Sequence, residues 1–227
     1  MITLHVLACR DAAVRETDLL ALLSADERAR LARLRRPEDR LRSLTGRAAA
    51  RLILGRHIGA TPESLRFHEG PHGKPALAGD DPPKIHFNLA HSGEWAVLAV
   101  ASSPVGVDIE HCTPGAADHL LAACFTEHER AHIHSARDTA AQWAAKEAVL
   151  KACGCGLSVD PASFEIRHDT TRWVAVASPA APAILAGFHV SRFRIGDDYR
   201  GALATAKPDE KWQLIHENIG ILLSERA

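Results

Sequence analysis

Asp108 and Glu110 stand in the run Pro104-Val105-Gly106-Val107-Asp108-Ile109-Glu110, which holds no lysine or arginine to neutralise them. Residues two apart on a strand project from one face, so a strand here points both carboxylates the same way. Two anions side by side raise each other's pKa unless a cation separates them, and a hard divalent ion with oxygen ligands meets that need. A third carboxylate, Glu147, lies in Trp143-Ala144-Ala145-Lys146-Glu147-Ala148-Val149-Leu150-Lys151. Trp143, Glu147 and Lys151 recur every four residues and share one helical stripe. That spacing also fits an ordinary Glu–Lys surface pair, but the stripe sits among alanine, valine and leucine rather than on an evenly charged face. The third acid can join the first two only if its helix lies against their strand.

Cations suited to phosphate are spread over the first half. Lys74 sits in Gly70-Pro71-His72-Gly73-Lys74-Pro75, whose glycines let backbone approach a ligand closely, and His91 follows a strand end in Ala90-His91-Ser92-Gly93. Each also reads as an ordinary turn or hairpin residue. Arginines at 28, 30, 33, 35, 36, 40 and 42 face only Glu38 and Asp39. Such a run forms a solvated helix surface or, through its forked donors, binds phosphate. An acidic triad with several separate cations points to a ligand carrying more than one phosphate.

The elements that must position these groups follow from periodicity. Met1 to Leu7 reads as an opening strand, residues 17–36 as a helix with Ser24 and Glu27 resembling a capping box, and residues 38–57 as a second helix closed by Gly59. Residues 62–83 are rich in turns. Residues 85–89 and 95–101 read as strands joined by the loop 90–94, and the strand with the two acids follows. Helical material is expected over 116–136, then a helix over 139–153 stopped by Gly154 and Gly156. Residues 164–167, 173–176, 187–190 and 199–204 read as later strands. The order of strand, two helices and strands, met twice, predicts an α+β protein of two similar α/β lobes, 1–103 and 104–227.

The chain has 227 residues, 46% of them hydrophobic, enough for an ample core, and a net charge of −1 that favours neither nucleic acid nor membrane. No apolar run approaches the ~20 residues of a membrane span. The N-terminus lacks a basic leader and a cleavage signature, so a cytoplasmic protein is expected. Five scattered cysteines suit reduced thiols better than a disulfide framework, and Cys153-Gly154-Cys155 is too close-set for a zinc knuckle. His128, His132 and His134 read as a hydrated helix face. The arginine-rich stretch contains no aromatic residue, which argues against a nucleic-acid binder.

Four segments in order resemble the Sfp-type 4′-phosphopantetheinyl transferases: Gly73-Lys74-Pro75, Phe87-Asn88-Leu89-Ala90-His91-Ser92-Gly93, Gly106-Val107-Asp108-Ile109-Glu110, and Trp143-Ala144-Ala145-Lys146-Glu147-Ala148 with Lys151. The resemblance covers nearly all of the chain and implies that family's fold, two lobes in pseudo-twofold arrangement with the active site at their interface. It implies that Asp108, Glu110 and Glu147 hold Mg²⁺, with Mn²⁺ as a substitute, against the pyrophosphate of coenzyme A. Arg30, Arg42, Ser43, Lys74 and His91 fall where the family contacts the nucleotide and its phosphates, and Lys151 where it contacts the pyrophosphate. Two positions depart: Glu27 stands where some members have a basic coenzyme contact, and Ala90 where some have a serine.

The activity implied is transfer of phosphopantetheine from coenzyme A to a serine of an acyl or peptidyl carrier protein, with Glu147 and Lys151 catalytic and adenosine 3′,5′-bisphosphate released. The tryptophan in the signature helix resembles the subgroup serving nonribosomal-peptide and polyketide synthases. A monomer is expected, with the stretch His111 to Arg137, including Leu121, Cys124 and Phe125, as the carrier-docking face or, equally, as core. The same three acids acting on a nucleotide pyrophosphate with water as nucleophile would instead make a metal-dependent phosphohydrolase.

Overall fold

The computed structural model describes residues 1–79, 82–113, 123–168, 172–178 and 181–226. The chain opens with β1 (Ile2–Ala8), the short helices α1 (Cys9–Ala13), α2 (Glu16–Leu22) and α3 (Ala25–Ala32), and the long α4 (Pro37–Ile58). A small hairpin, β2 (Phe67–Glu69) and β3 (Pro75–Leu77), leads to β4 (His86–Ser92), β5 (Trp95–Ala101) and β6 (Val105–His111). After α5 (Glu127–Arg130) and α6 (Ala136–Cys153) come β7 (Phe164–His168), β8 (Trp173–Ala177), β9 (His189–Ile195), β10 (Tyr199–Thr205), β11 (Trp212–Glu217) and α7 (Ile219–Ser224). The protein is thus of mixed α+β class, with sheets ordered β11-β1-β5-β4 and β6-β10-β9-β8-β7 beside the two-stranded β2-β3.

Local chemistry sets the helix ends. Ser24 accepts from Glu27 N while Glu27 caps Ser24 N, so a new helix starts there and the single helix expected over 17–36 is instead two. Leu23, in extended conformation, is the break. Pro37 begins α4, and Gly59, at φ 67°, ends it. Ser135 caps α6 through Asp138 N, and Gly154, at φ 74°, closes it. The helix expected over 116–136 falls partly outside the described residues. Within them, a capping box at Thr126 starts α5, and Ser135 starts α6 afresh.

Two further differences stand out. Strand β4 extends to Ser92, so His91 lies in the strand and the turn to β5 is only Gly93-Glu94. Residues 212–217, to which the sequence reading assigned no element, pair parallel with β1 from Ile2–Trp212 to Leu7–Glu217, so the C-terminal strand joins the first sheet. The cysteine reading is corrected: Cys153 and Cys155 form a disulfide at the end of α6, while Cys9, Cys112 and Cys124 are free. The αL turn at Gly154 folds the chain back and brings the two side chains together, which spacing alone did not reveal.

The position of β6 organises the molecule. Val105, Val107 and Ile109 point into an apolar cluster shared with Leu4, Val6, Val97 and Ala99 of the first sheet. The alternate residues Gly106, Asp108 and Glu110 therefore face the other way, as period-two geometry requires. Strand β6 is the edge of its sheet, and the first sheet covers that edge: Val107 N donates to Asn88 Oδ1 at 2.8 Å and His111 N to Ser92 Oγ at 3.0 Å. Helix α6 packs across β6 so closely that a methyl group at Gly106 would overlap Ala148 O and Ala152 N. Glycine is what lets the helix carrying Glu147 meet the strand carrying Asp108 and Glu110.

Candidate active site

Around that contact the three acids share one ammonium. Lys151 Nζ lies 2.5 Å from Asp108 Oδ1, and its charge is held by Asp108, Glu147 and Glu110 together. Burial works against the Lys151 ammonium, but the three carboxylates outweigh it and its pKa rises. Asp108 is buried, and burial pushes its carboxyl up against the pull of Lys151. Glu110 is raised to about 7, first by burial and then by Asp108, with Glu147 adding to it. Burial raises Glu147 too, and Asp108 contributes. Glu110 Oε2 accepts from Ser92 Oγ at 3.3 Å, so β4 helps to orient it.

The acids expected to ligate a metal thus act on one another, yet among the described residues no three His, Cys, Asp or Glu side chains are already gathered as a metal cage. Among the described residues Lys151 is the one cation bonded to Asp108, and Asp108 Oδ2 is buried without a hydrogen-bond partner. An all-oxygen set with an orphaned carboxylate oxygen and mutually raised pKa values fits a hard divalent cation.

Beside the acids a cavity of about 350 Å³ is lined by Ser43, Arg47, His72, Lys74, Asn88, His91, Glu147 and Lys151, with Gly154 and Gly156 at the end of α6. Lys74 Nζ donates to Val105 O at 2.9 Å and Ala152 O at 3.2 Å, bridging β6 and α6, and burial lowers its pKa to about 8. Desolvation by the cleft walls, with repulsion from Lys151 and Arg42, holds the His91 imidazole below its ordinary value. The fold therefore brings Ser43, Lys74, His91, Glu147 and Lys151 to one cavity. Arg42 lies off its wall, donating to Gly93 O at 3.1 Å and paired with Asp39. Arg30 pairs with Glu69 and lines a neighbouring cavity of about 540 Å³, which shares Arg47 and Pro75 with the first.

Glu27, which departs from the family pattern, has a structural occupation. Besides capping α3 it pairs with the buried Arg51 at 2.7 Å. Phe125, offered above for docking or for core, is buried, edge-on to Trp143 at 6.3 Å; Leu121 lies outside the described residues. Two groups escaped the sequence reading. Lys146 is fully buried, bonded to Pro161 O and Phe164 O at 2.6 Å each and paired with Glu129 at 2.8 Å, so it ties α6 to α5 and the β7 entry. Arg47, just beyond the arginine-rich run, borders both cavities. Its spacing of four from Ser43 on one helix was the available signal.

Known proteins resemble this chain along most of its length. Residues 14–103 match the family described as 4′-phosphopantetheinyl transferase, N-terminal, and residues 104–205 match the 4′-phosphopantetheinyl transferase superfamily. The chain is 30% identical over 206 residues to the 4′-phosphopantetheinyl transferase ffp of Bacillus subtilis, covering 86% of this chain and 87% of that one. It is 28% identical over 197 residues to the 4′-phosphopantetheinyl transferase Sfp of Bacillus subtilis, covering 84% and 85%. With the 4′-phosphopantetheinyl transferase HetI of Nostoc it shares 37% over 151 residues, 62% of this chain and 63% of that one. Domain matches that abut at the start of β6, and relatives matched over most of their length, lead to one conclusion: this chain belongs to the Sfp-type 4′-phosphopantetheinyl transferase family.

Proposed function

We propose that the cleft between α4, β4 and α6 binds coenzyme A and transfers its 4′-phosphopantetheine to a serine hydroxyl of an acyl or peptidyl carrier protein. Adenosine 3′,5′-bisphosphate is the product released. The reading carries with it two lobes in pseudo-twofold arrangement, meeting where β6 crosses β4. The observation that carries the proposal is the shared pull of Asp108, Glu110 and Glu147 on the Lys151 ammonium, which with Glu147 borders a cavity of about 350 Å³.

Each residue has a physical task. Asp108, Glu110 and Glu147 would hold Mg²⁺, or Mn²⁺ in its place, and the ion when bound would act as a Lewis acid on the pyrophosphate. Lys151, one turn beyond Glu147 on the same stripe of α6, would face the non-bridging and leaving oxygens, on which charge grows in the transition state. Lys74, fixed between β6 and α6, and His91 and Ser43 across the cleft position the nucleotide phosphates. Arg30 and Arg42 flank the cleft rather than line it, and their contribution is to the field that attracts a polyanion. Glu147, its carboxyl raised by burial, would accept the serine proton.

No helix among the described residues is long and apolar enough to cross a membrane. A monomeric cytoplasmic enzyme serving nonribosomal-peptide or polyketide synthases completes the proposal. Its test is the intact mass of an apo carrier protein incubated with enzyme, coenzyme A and Mg²⁺. A gain of one phosphopantetheine supports the reading. Nucleotide release with the carrier left unmodified would make the protein a phosphohydrolase instead.

A further inference from the structure

We infer that Arg47 reads the 3′-phosphate on the ribose of coenzyme A and so sets preference for coenzyme A over its 3′-dephospho form. The inference rests on the coenzyme reading above and assigns a task to a side chain which that reading leaves unused.

Three observations carry it. The first is place. Helix α4 lies tight on β4, since a methyl group at Gly46 would come within 3.0 Å of Leu89 Cδ1, and the next residue, Arg47, is thereby held at the cleft wall. Arg47 and Pro75 border both cavities, whereas Glu147 and Lys151 border only the first. A ligand whose reacting phosphorus lies by Lys151 and whose nucleoside extends toward the second cavity must pass the guanidinium.

The second is partnership. Lys151 is held by Asp108, and Lys74 donates to two carbonyls. In the second cavity Arg51 is paired with Glu27, Arg30 with Glu69, and Arg66 donates to the carbonyl of Glu63 at 3.2 Å. Among the described residues of the two walls, Arg47 is the one arginine or lysine with neither an ion pair nor a hydrogen bond. Its forked donors are free to take two oxygens of a phosphate at once.

The third is the balance of charge. Of the acids bordering the second cavity, Glu27, Glu69 and Glu63 are engaged by Arg51, Arg30 and Arg226, and Asp26 is exposed to water. On the side of the second cavity the field at Arg47 is therefore left largely uncancelled, and a dianionic phosphomonoester there gains most from it. The pyrophosphate already has Lys151 at the far end, which leaves the ribose phosphate for Arg47.

The test compares nucleotides that differ by that one phosphate. Adenosine 3′,5′-bisphosphate and adenosine 5′-monophosphate are titrated calorimetrically into wild type, Arg47→Ala and Arg47→Lys, and KM is measured for coenzyme A and 3′-dephospho-coenzyme A. Arg47→Ala should weaken the bisphosphate about tenfold or more and raise KM for coenzyme A alike, leaving the two dephospho ligands unchanged. Arg47→Lys, keeping charge without the fork, should fall between. Equal weakening of both members of a pair, or no weakening, would overturn the role of Arg47 while leaving the coenzyme reading intact. Wild-type protein that binds neither nucleotide would overturn both.

Discussion

Replacing Gly106 by alanine adds one methyl group to the strand that carries Asp108 and Glu110, at the point where α6 lies on it. The new carbon would overlap Ala148 O and Ala152 N and lie 2.9 Å from Ala152 Cα, against an ordinary contact of 3.4 Å or more. All three are backbone atoms in the last turns of α6, so no side chain can rotate away. The helix must retreat by about 1 Å or more. Overpacking of this kind costs about 1–3 kcal/mol, and unyielding backbone places Gly106→Ala at the upper end. The same retreat moves Glu147 and Lys151 away from Asp108, and misplacement by about 1 Å costs on the order of a hundredfold in rate. Urea unfolding gives the first quantity. Carrier-protein modification, scaled to the folded fraction, gives the second. A variant with wild-type midpoint and wild-type kcat/KM would refute the claim that this close approach builds the site.

Glu147→Gln should keep the fold and lower kcat about a hundredfold, the scale of one preorganised electrostatic group, with KM for coenzyme A little changed; wild-type turnover would remove Glu147 from the chemistry. Lys74, with its pKa lowered to about 8, loses its ammonium as pH rises through that value, so KM for coenzyme A should climb above pH 8 while Lys74→Arg stays flat over that range. The buried ammonium also costs stability below pH 8 and ceases to do so as pH rises toward the unfolded value, so the gain in stability of Lys74→Met over wild type should shrink between pH 8 and 10. Removal of Glu129 leaves the Lys146 ammonium buried and unpaired; Glu129→Ala should cost about 3–5 kcal/mol in denaturant melts, and a loss below 1 kcal/mol would contradict that reading.

What the sequence revealed depended on how local the determining physics was. Alternation in Val105 to Glu110 and the every-fourth stripe from Trp143 to Lys151 are short-range patterns, and the strand and helix follow them, with Lys151 paired to Asp108 where they cross. Ser24 with Glu27 is legible as a cap, but the leucines on either side keep helical spacing across the break, so periodicity alone runs one helix through it. Strand β11 was missed since its partner β1 lies at the other end of the chain, and its half-exposed residues carry little apolar signal. Glu27 looked like a lost coenzyme contact until its pairing with Arg51, 24 residues away, gave it a structural reason. Arg30 and Arg42 fell in a run of arginines whose sequence does not distinguish them, and only the placement of Glu69 and Asp39 shows that both are already paired. Lys146 beside Glu147 illustrates the converse, adjacent charges on one helix of which one faces the cleft and the other is fully buried.

The proposed site stands on three carboxylates holding one divalent ion at the β6–α6 contact. Crystals of the enzyme with coenzyme A and Mn²⁺, measured at the manganese absorption edge, locate that ion directly. The expected anomalous peak lies among the carboxylates of Asp108, Glu110 and Glu147, with the Lys151 ammonium withdrawn from Asp108. A peak elsewhere, or none with Lys151 still bonded to Asp108 beside bound coenzyme A, would contradict it.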